Sequence, residues 1–448
     1  SATFFVSASG VASLLIREGD AFPGGGGSTI TTAMAGSSGT RVSDAGESLL
    51  AVTLAGGDVS GTTNNTAIVK LSPSGNTVVF RKGAAAPGFS GSTMTPETFG
   101  LNFNDGKVSF PGTLVGGSVT TSNDKALFTS IGAESGSLRM YAREGDAVPG
   151  LTDTIYKPTT TPSQIAQPIV GNSLVFFSDL SGNGVTTSVN DWAVFRETNG
   201  SVEVLLRKGE SVPGVTDGNV FRQVNNSSIT STPSGMLAYQ GLLQSEDGTN
   251  TNPNNPAYVG VRLANGVRIT ICRQGDSTPG IPGGTFGSLN GSTSICASDS
   301  GAVVFANNVT VGVDSVAALF AWDLDSGLRL IAKAGDTNFT GTPANQLTLI
   351  GSTGQNGNGG GTGFNASGQL VIRAGDSVNS VNSVSRIQIG NPAPACPADL
   401  DDDGDVDGVD LANVLAQWGT AGSADINGDG TVNGVDLSSV LAAWGNCS

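Results

Sequence analysis

Seven aspartates fall inside one stretch of twelve residues, and six of them, Asp399, Asp401, Asp403, Asp405, Asp407 and Asp410, follow a recognisable spacing. Counted from Asp399, side-chain oxygens occupy positions 1, 3, 5, 9 and 12, and Asp405 at position 7 can offer its backbone carbonyl. Gly404 stands at position 6, where such a loop must turn sharply. Twenty-six residues further on, Asp425, Asn427, Asp429, Gly430, Thr431, Asn433 and Asp436 repeat the pattern. Hard oxygen donors at this spacing suit Ca2+, and two loops in register predict two calcium ions. The ions are expected to be structural, because so many carboxylates converge in so short a segment only around a cation.

Each loop needs a rigid element behind it. Residues 411–419 and 437–445 are short amphipathic stretches, read as helices that stop at Gly419 and Gly445. Chelation is expected to expose Trp418 and Trp444, which close these stretches. A Pro-rich link over 391–395 separates this module, 396–448, from a repeat domain spanning 1–390.

The module resembles a dockerin, on the strength of both loop-and-helix duplicates. Cys396 and the terminal Gly445-Asn446-Cys447 are similar to the Gly-Cys-ended variant at the C-termini of planctomycete extracellular proteins. The resemblance implies attachment to a protein partner. In cellulosomal dockerins, loop positions 10 and 11 are usually polar and help to select the cohesin. Here they are Gly408-Val409 and Gly434-Val435, a departure from that pattern. The repeat region is similar to uncharacterised tandem-repeat surface proteins of the same bacteria.

The repeat domain is marked by a recurring corner, fullest in Arg143-Glu144-Gly145-Asp146 followed by Pro149-Gly150. Its first glycines stand at 19, 83, 145, 209, 275 and 335, a spacing of 60 to 66 residues. Turn chemistry accounts for every recurring position, so the corner reads as structural, with Arg and Asp paired across it. Between corners each unit carries three apolar strands. The first of them, as at 174–180 or 236–243, is the most continuously apolar. A short fourth segment links one unit to the next. Such units predict an all-β domain, a six-bladed β-propeller closed by N- and C-terminal strands, joined to the small α-helical dockerin-like module. In that closure, 3–6 and 12–17 supply the second and third strands missing from 370–373, while 384–389 is left as a surplus strand.

Composition narrows the function. The net charge is −16, and the ten aspartates of 396–448 face no Lys or Arg, which argues against nucleic acid and anionic membrane as partners. No apolar run is long enough for membrane insertion. Four cysteines, two in the repeats and two bracketing the tail, predict Cys272–Cys296 and Cys396–Cys447 disulfides and a secreted or cell-surface location. A start at Ser1 fits removal of a signal peptide. With no histidine, Ser-His-Asp and Cys-His nucleophiles and His-ligated zinc are excluded. The expectation is a non-catalytic extracellular structural or assembly protein, a surface-layer or fibre subunit that uses the module or self-association. Two alternatives stand beside it: a propeller that recognises glycan or protein, and a carboxylate-based glycan-active enzyme.

Overall fold

A computed structural model describes residues 1–6, 10–34, 46–98, 100–104, 106–134, 137–157, 169–248, 257–289, 295–336, 346–349, 364, 368–376, 381–389, 398–401, 405–426 and 430–446. Among the described residues the protein is all-β, apart from two nine-residue helices in the acidic tail. Five antiparallel sheets share one strand order. The first joins Thr29–Met34, Ser48–Ala55, Thr66–Leu71 and Thr77–Arg81, and the second joins Thr93–Pro96, Lys107–Val115, Lys125–Thr129 and Arg139–Arg143. The third is Ile155–Lys157, Ser173–Ser181, Trp192–Thr198 and Ser201–Arg207, and the fourth is Asn219–Ser231, Leu237–Ser245, Ala257–Arg262 and Arg268–Arg273. The fifth runs Gly284–Phe286, Val303–Val311, Asp314–Trp322 and Arg329–Lys333. The linking segment of each repeat is therefore the first strand of the following sheet.

The corner makes that hand-over. At five of the six corners the first glycine lies at φ between 84° and 90°, which an L side chain rarely adopts. Its N–H then donates to a buried residue of the next sheet: Gly145 N to Tyr156 O at 2.9 Å, with Tyr156 N returning to Asp146 O at 3.0 Å. The same clip joins Gly19 to Ile30, Gly83 to Met94, Gly209 to Phe221 and Gly275 to Phe286. Cross-turn ion pairs form at Arg17–Asp20 (2.9 Å) and Lys333–Asp336 (3.0 Å), and more loosely at Arg143–Asp146 (3.8 Å). Arg81 and Arg273 instead reach Asp58 and Asp217 in neighbouring loops, both at 2.7 Å. The corner is a joint of the scaffold.

Consecutive sheets pack face to face, and the pleat decides which neighbour each residue meets. In Ser173–Ser181, Leu174 and Phe176 join Leu127 and Ala142 of the second sheet, while Val175 and Phe177 join Phe221 and Tyr239 of the fourth. Alternation with period two buries both faces, which explains the unbroken apolar run of these strands. Successive clusters repeat the arrangement from first to sixth sheet. Ion pairs also cross between neighbours: Arg139 of the second sheet pairs with fully buried Glu197 of the third, and Arg268 with Glu210 (2.7 Å).

Two sequence expectations are corrected. Cys272 and Cys296 are free, buried thiols. Cys272 faces the core between fourth and fifth sheets, whereas Cys296 faces the core between fifth and sixth. Burial pushes both thiols up, Cys296 to about 12. Cys396 and Cys447 lie outside the described residues.

The surplus strand also has its place. In the three-stranded sixth sheet, Gln369–Asp376 is flanked by Gln346–Leu349 on one edge and Val381–Gln388 on the other. Its second-strand position is thus filled from the C-terminal side. Ala2–Val6 and Ala12–Arg17 form a separate hairpin that packs on the first sheet through Ile16.

Candidate metal centre

The two tail helices are α1 (Gly408–Ala416) and α2 (Gly434–Ala442). Asp407 caps α1 by accepting Val409 N at 2.8 Å, and Asn433 caps α2 by accepting Val435 N at 2.8 Å. Loop positions 9 and 12 are three apart, the spacing of a reciprocal capping box. Asp410 Oδ2 accordingly accepts Asp407 N at 2.7 Å, and Asp436 Oδ2 accepts Asn433 N at 2.8 Å. The other oxygen reaches back to loop position 2, accepting Leu400 N (2.6 Å) and Ile426 N (2.8 Å) respectively. Both carboxylates are fully buried. Burial by itself raises the Asp410 carboxyl, but the backbone donors from Asp407 and Leu400 outweigh it and hold the group below the usual range.

Asp399, Asp401 and Asp410 each bring an oxygen within 4.8 Å of the other two. Ligands about 2.3–2.6 Å from one calcium can be no farther apart than roughly 5 Å, so this donor set fits the ion in chemistry and in span. In the second loop Asp425 Oδ2 accepts Gly430 N at 2.7 Å, and Thr431 O accepts Asn433 Nδ2 at 2.8 Å. Asp405 is paired through its backbone with Asn446 in a two-residue strand. Asp403, Asn427 and Asp429 lie outside the described residues. The structure thus brings the first and last candidate ligands of the first loop together and builds the second loop's closing end on the same plan.

What surrounds the loops is thin. Among the described residues, the buried apolar set of the module is Ala398, Val406, Val414, Ala424, Val432 and Val440, with Leu400, Leu411, Ile426, Leu437 and Ala443 packed partly buried against it. So small a core seldom supports a fold without a staple, and a bound cation would supply one. Trp418 and Trp444 do not contribute to it: they are already 48% and 52% exposed, which corrects the expectation that chelation would uncover them. Val409, Leu415 and Trp418 on one repeat have exposed counterparts in Val435, Leu441 and Trp444 on the other. Nothing in the loop pattern announces this duplicated apolar surface; the i, i+6, i+9 recurrence of Val, Leu and Trp could have.

Among the described residues, no helix is long and apolar enough to cross a membrane. A model for a family of unknown function, DUF7453, matches residues 1–166 and again 158–375. Comparison with curated proteins returns no match. Among solved structures, a prolyl endopeptidase is similar at 10% identity and TM-score 0.36, over 80% of this chain. The chain spans 42% of that enzyme's length. An α-L-arabinofuranosidase, Arb93A from Fusarium graminearum, is similar at 14% identity and TM-score 0.28, over 78% of this chain and 91% of its own. An ulvan lyase of polysaccharide lyase family PL25 is similar at 12% identity and TM-score 0.31, over 80% and 79%. All three of these similar structures are enzymes, so the expectation of a non-catalytic structural or assembly protein finds no support among them. Likenesses this loose carry over neither a substrate nor a catalytic residue.

Proposed function

We propose, of a chain that belongs to the DUF7453 family of unknown function, that its tail is a secreted, dockerin-like calcium module that docks a protein partner. The observation that carries this is the twofold reuse of one construction: a buried aspartate, Asp410 or Asp436, closes each loop with the same pair of backbone hydrogen bonds. Each loop takes one calcium, the first through Asp399, Asp401 and Asp410. The exposed Val–Leu–Trp sets are the docking surface, since apolar and aromatic side chains are what a protein partner buries. Calorimetric titration of the chelated full chain tests it. Two bound calcium ions are expected, falling to one in Asp410→Asn and in Asp436→Asn. No calcium uptake at micromolar to millimolar concentration overturns it.

The repeat domain is proposed to close into a six-bladed propeller. The packing supports this by leaving two ends open: the hairpin face bearing Phe4, Val6 and Leu14, and the sixth-sheet face bearing Val384. Closing the stack covers Phe4, Val6 and Leu14 at one end and Val384 at the other. A Val6→Cys, Val384→Cys pair should cross-link within single molecules; cross-links only between molecules refute closure.

A second reading is activity on glycans. With no histidine and 27 of the 37 acidic residues outside the tail, carboxylates are the most numerous acid–base groups available, and glycan cleavage commonly runs on a pair of them. Sugar release from a polysaccharide panel by the calcium-loaded chain supports it, and no release from any member counts against it.

A further inference from the structure

Equivalent positions in three corners carry different charges. The residue after the corner arginine donates its N–H to the strand beside it: Lys82 to Thr66 O, Glu144 to Lys125 O and Lys208 to Trp192 O, at 2.8 to 2.9 Å. In two of the three its side chain meets the residue just ahead of that strand. In the third sheet this is a salt bridge, Lys208 Nζ to Asp191 Oδ1 at 2.8 Å. In the first sheet the position ahead is Asn65. In the second sheet the corner offers Glu144 against Asp124, acid against acid, where its neighbour has lysine against acid.

The surrounding charges do not relieve the clash. Lys125 Nζ lies 3.4 Å from Asp124 Oδ2 and also donates to Thr113 Oγ1 at 2.9 Å, so it serves Asp124. Arg143 is engaged elsewhere: its Nε donates to Asn123 O at 3.0 Å, and its guanidinium sits 4.0 Å over the Phe89 ring. Asp146, on the same turn, faces Arg143. From the third sheet comes Tyr156, buried in the adjoining core. Glu144 Oε2 itself is buried without a hydrogen-bond partner. Burial first, and the Asp124 charge second, push the Glu144 carboxyl above its usual range.

We propose that the corner joining the second and third sheets is a proton-operated joint, clamped when Glu144 and Asp124 share one proton and loosened when that proton leaves. Two carboxyls that share a proton attract, and two carboxylates at hydrogen-bond range repel. The bonds at risk are Gly145 N to Tyr156 O and Tyr156 N to Asp146 O, which couple the turn to the third sheet. The sign follows from linkage. Glu144 binds its proton more tightly in the closed corner than in an open one. The clamp is therefore whole below the ordinary glutamate range and is lost as pH rises through the raised value. The matching corner at Gly209 and Phe221, held by Lys208–Asp191, lacks this like-charge pair.

Amide hydrogen exchange of the calcium-loaded full chain, corrected for intrinsic rates between pH 4 and 8, tests the joint against its sibling. Opening at Gly145 and Tyr156 should grow with pH, by at most about tenfold per unit for a single proton, and level off above the raised value. Opening at Gly209 and Phe221 should not follow. Glu144→Lys, which copies position 208, should flatten the profile and slow exchange at pH 8; Glu144→Gln should also flatten it while keeping a donor toward Asp124. The proposal is overturned if both corners rise together, or if the wild-type profile survives in Glu144→Gln.

Discussion

Phe176 and Phe177 are neighbours in sequence, fully buried, and on opposite faces of the third sheet. Replacing each by alanine should loosen a different joint of the stack. Phe176 lies 5.0 Å from Phe195, 5.1 Å from Tyr141 of the second sheet and 6.3 Å from Tyr156, ring centre to ring centre. Phe177 stacks on Trp192 at 5.4 Å and otherwise meets aliphatic and aromatic groups of the fourth-sheet cluster. Phe→Ala in a core costs about 3–5 kcal/mol, and each ring pair adds about 0.5–1.5 kcal/mol beyond area. Phe176→Ala therefore belongs at the upper end of that range and Phe177→Ala nearer the lower. Local opening should rise at least about a hundredfold in either case, at roughly 1.4 kcal/mol per factor of ten. The assay is hydrogen exchange resolved by peptide, because a stack of repeats need not unfold in one step. Phe176→Ala should deprotect the second sheet more than the fourth, and Phe177→Ala the reverse. The two costs should add within about 0.5 kcal/mol, since the side chains share no cluster. Matching deprotection maps from the two variants would refute the period-two division of the core.

Three further outcomes follow from the same geometry. Arg139→Ala strands the fully buried Glu197 carboxylate, leaving it with Gly200 N at 2.6 Å, and should destabilise by about 3 kcal/mol in denaturant titration; a change under roughly 1 kcal/mol contradicts the pairing. Alkylation without reductant should leave Cys272 and Cys296 unmodified in the native chain and modify both once it is denatured; failure to react when denatured would mean a disulfide. Trp418→Ala and Trp444→Ala should leave calcium affinity within about twofold and stability within about 0.5 kcal/mol, because both rings are half exposed; a large loss in either would place them in the core.

Much of this architecture is local, and local features can be read along the chain. The corner glycines announce themselves because a positive φ at a strand end selects glycine whatever packs around it. The proposed calcium loops are similar: candidate ligand positions and helix cap share one stretch of backbone, so the spacing of Asp407 and Asp410 suits both roles. All-β character comes from short apolar runs between turns, and the unbroken run through Leu174–Phe177 already points to burial on both faces.

Tertiary structure decided what depends on which surface meets which. Cys272 and Cys296 are twenty-four residues apart, near enough in sequence to pair, yet intervening strands set them in different cores. The strand at Val381–Gln388 looks surplus beside the N-terminal hairpin, because strand character says nothing about which edge is vacant. Glu144 reads as one more variable corner residue until the fold brings Asp124 against it, where Lys208 meets Asp191 one sheet later. Spacing along the chain fixes backbone conformation within a few residues. Charge against charge, thiol against thiol and edge against edge are set by contacts between segments far apart in sequence, whose partners only packing selects.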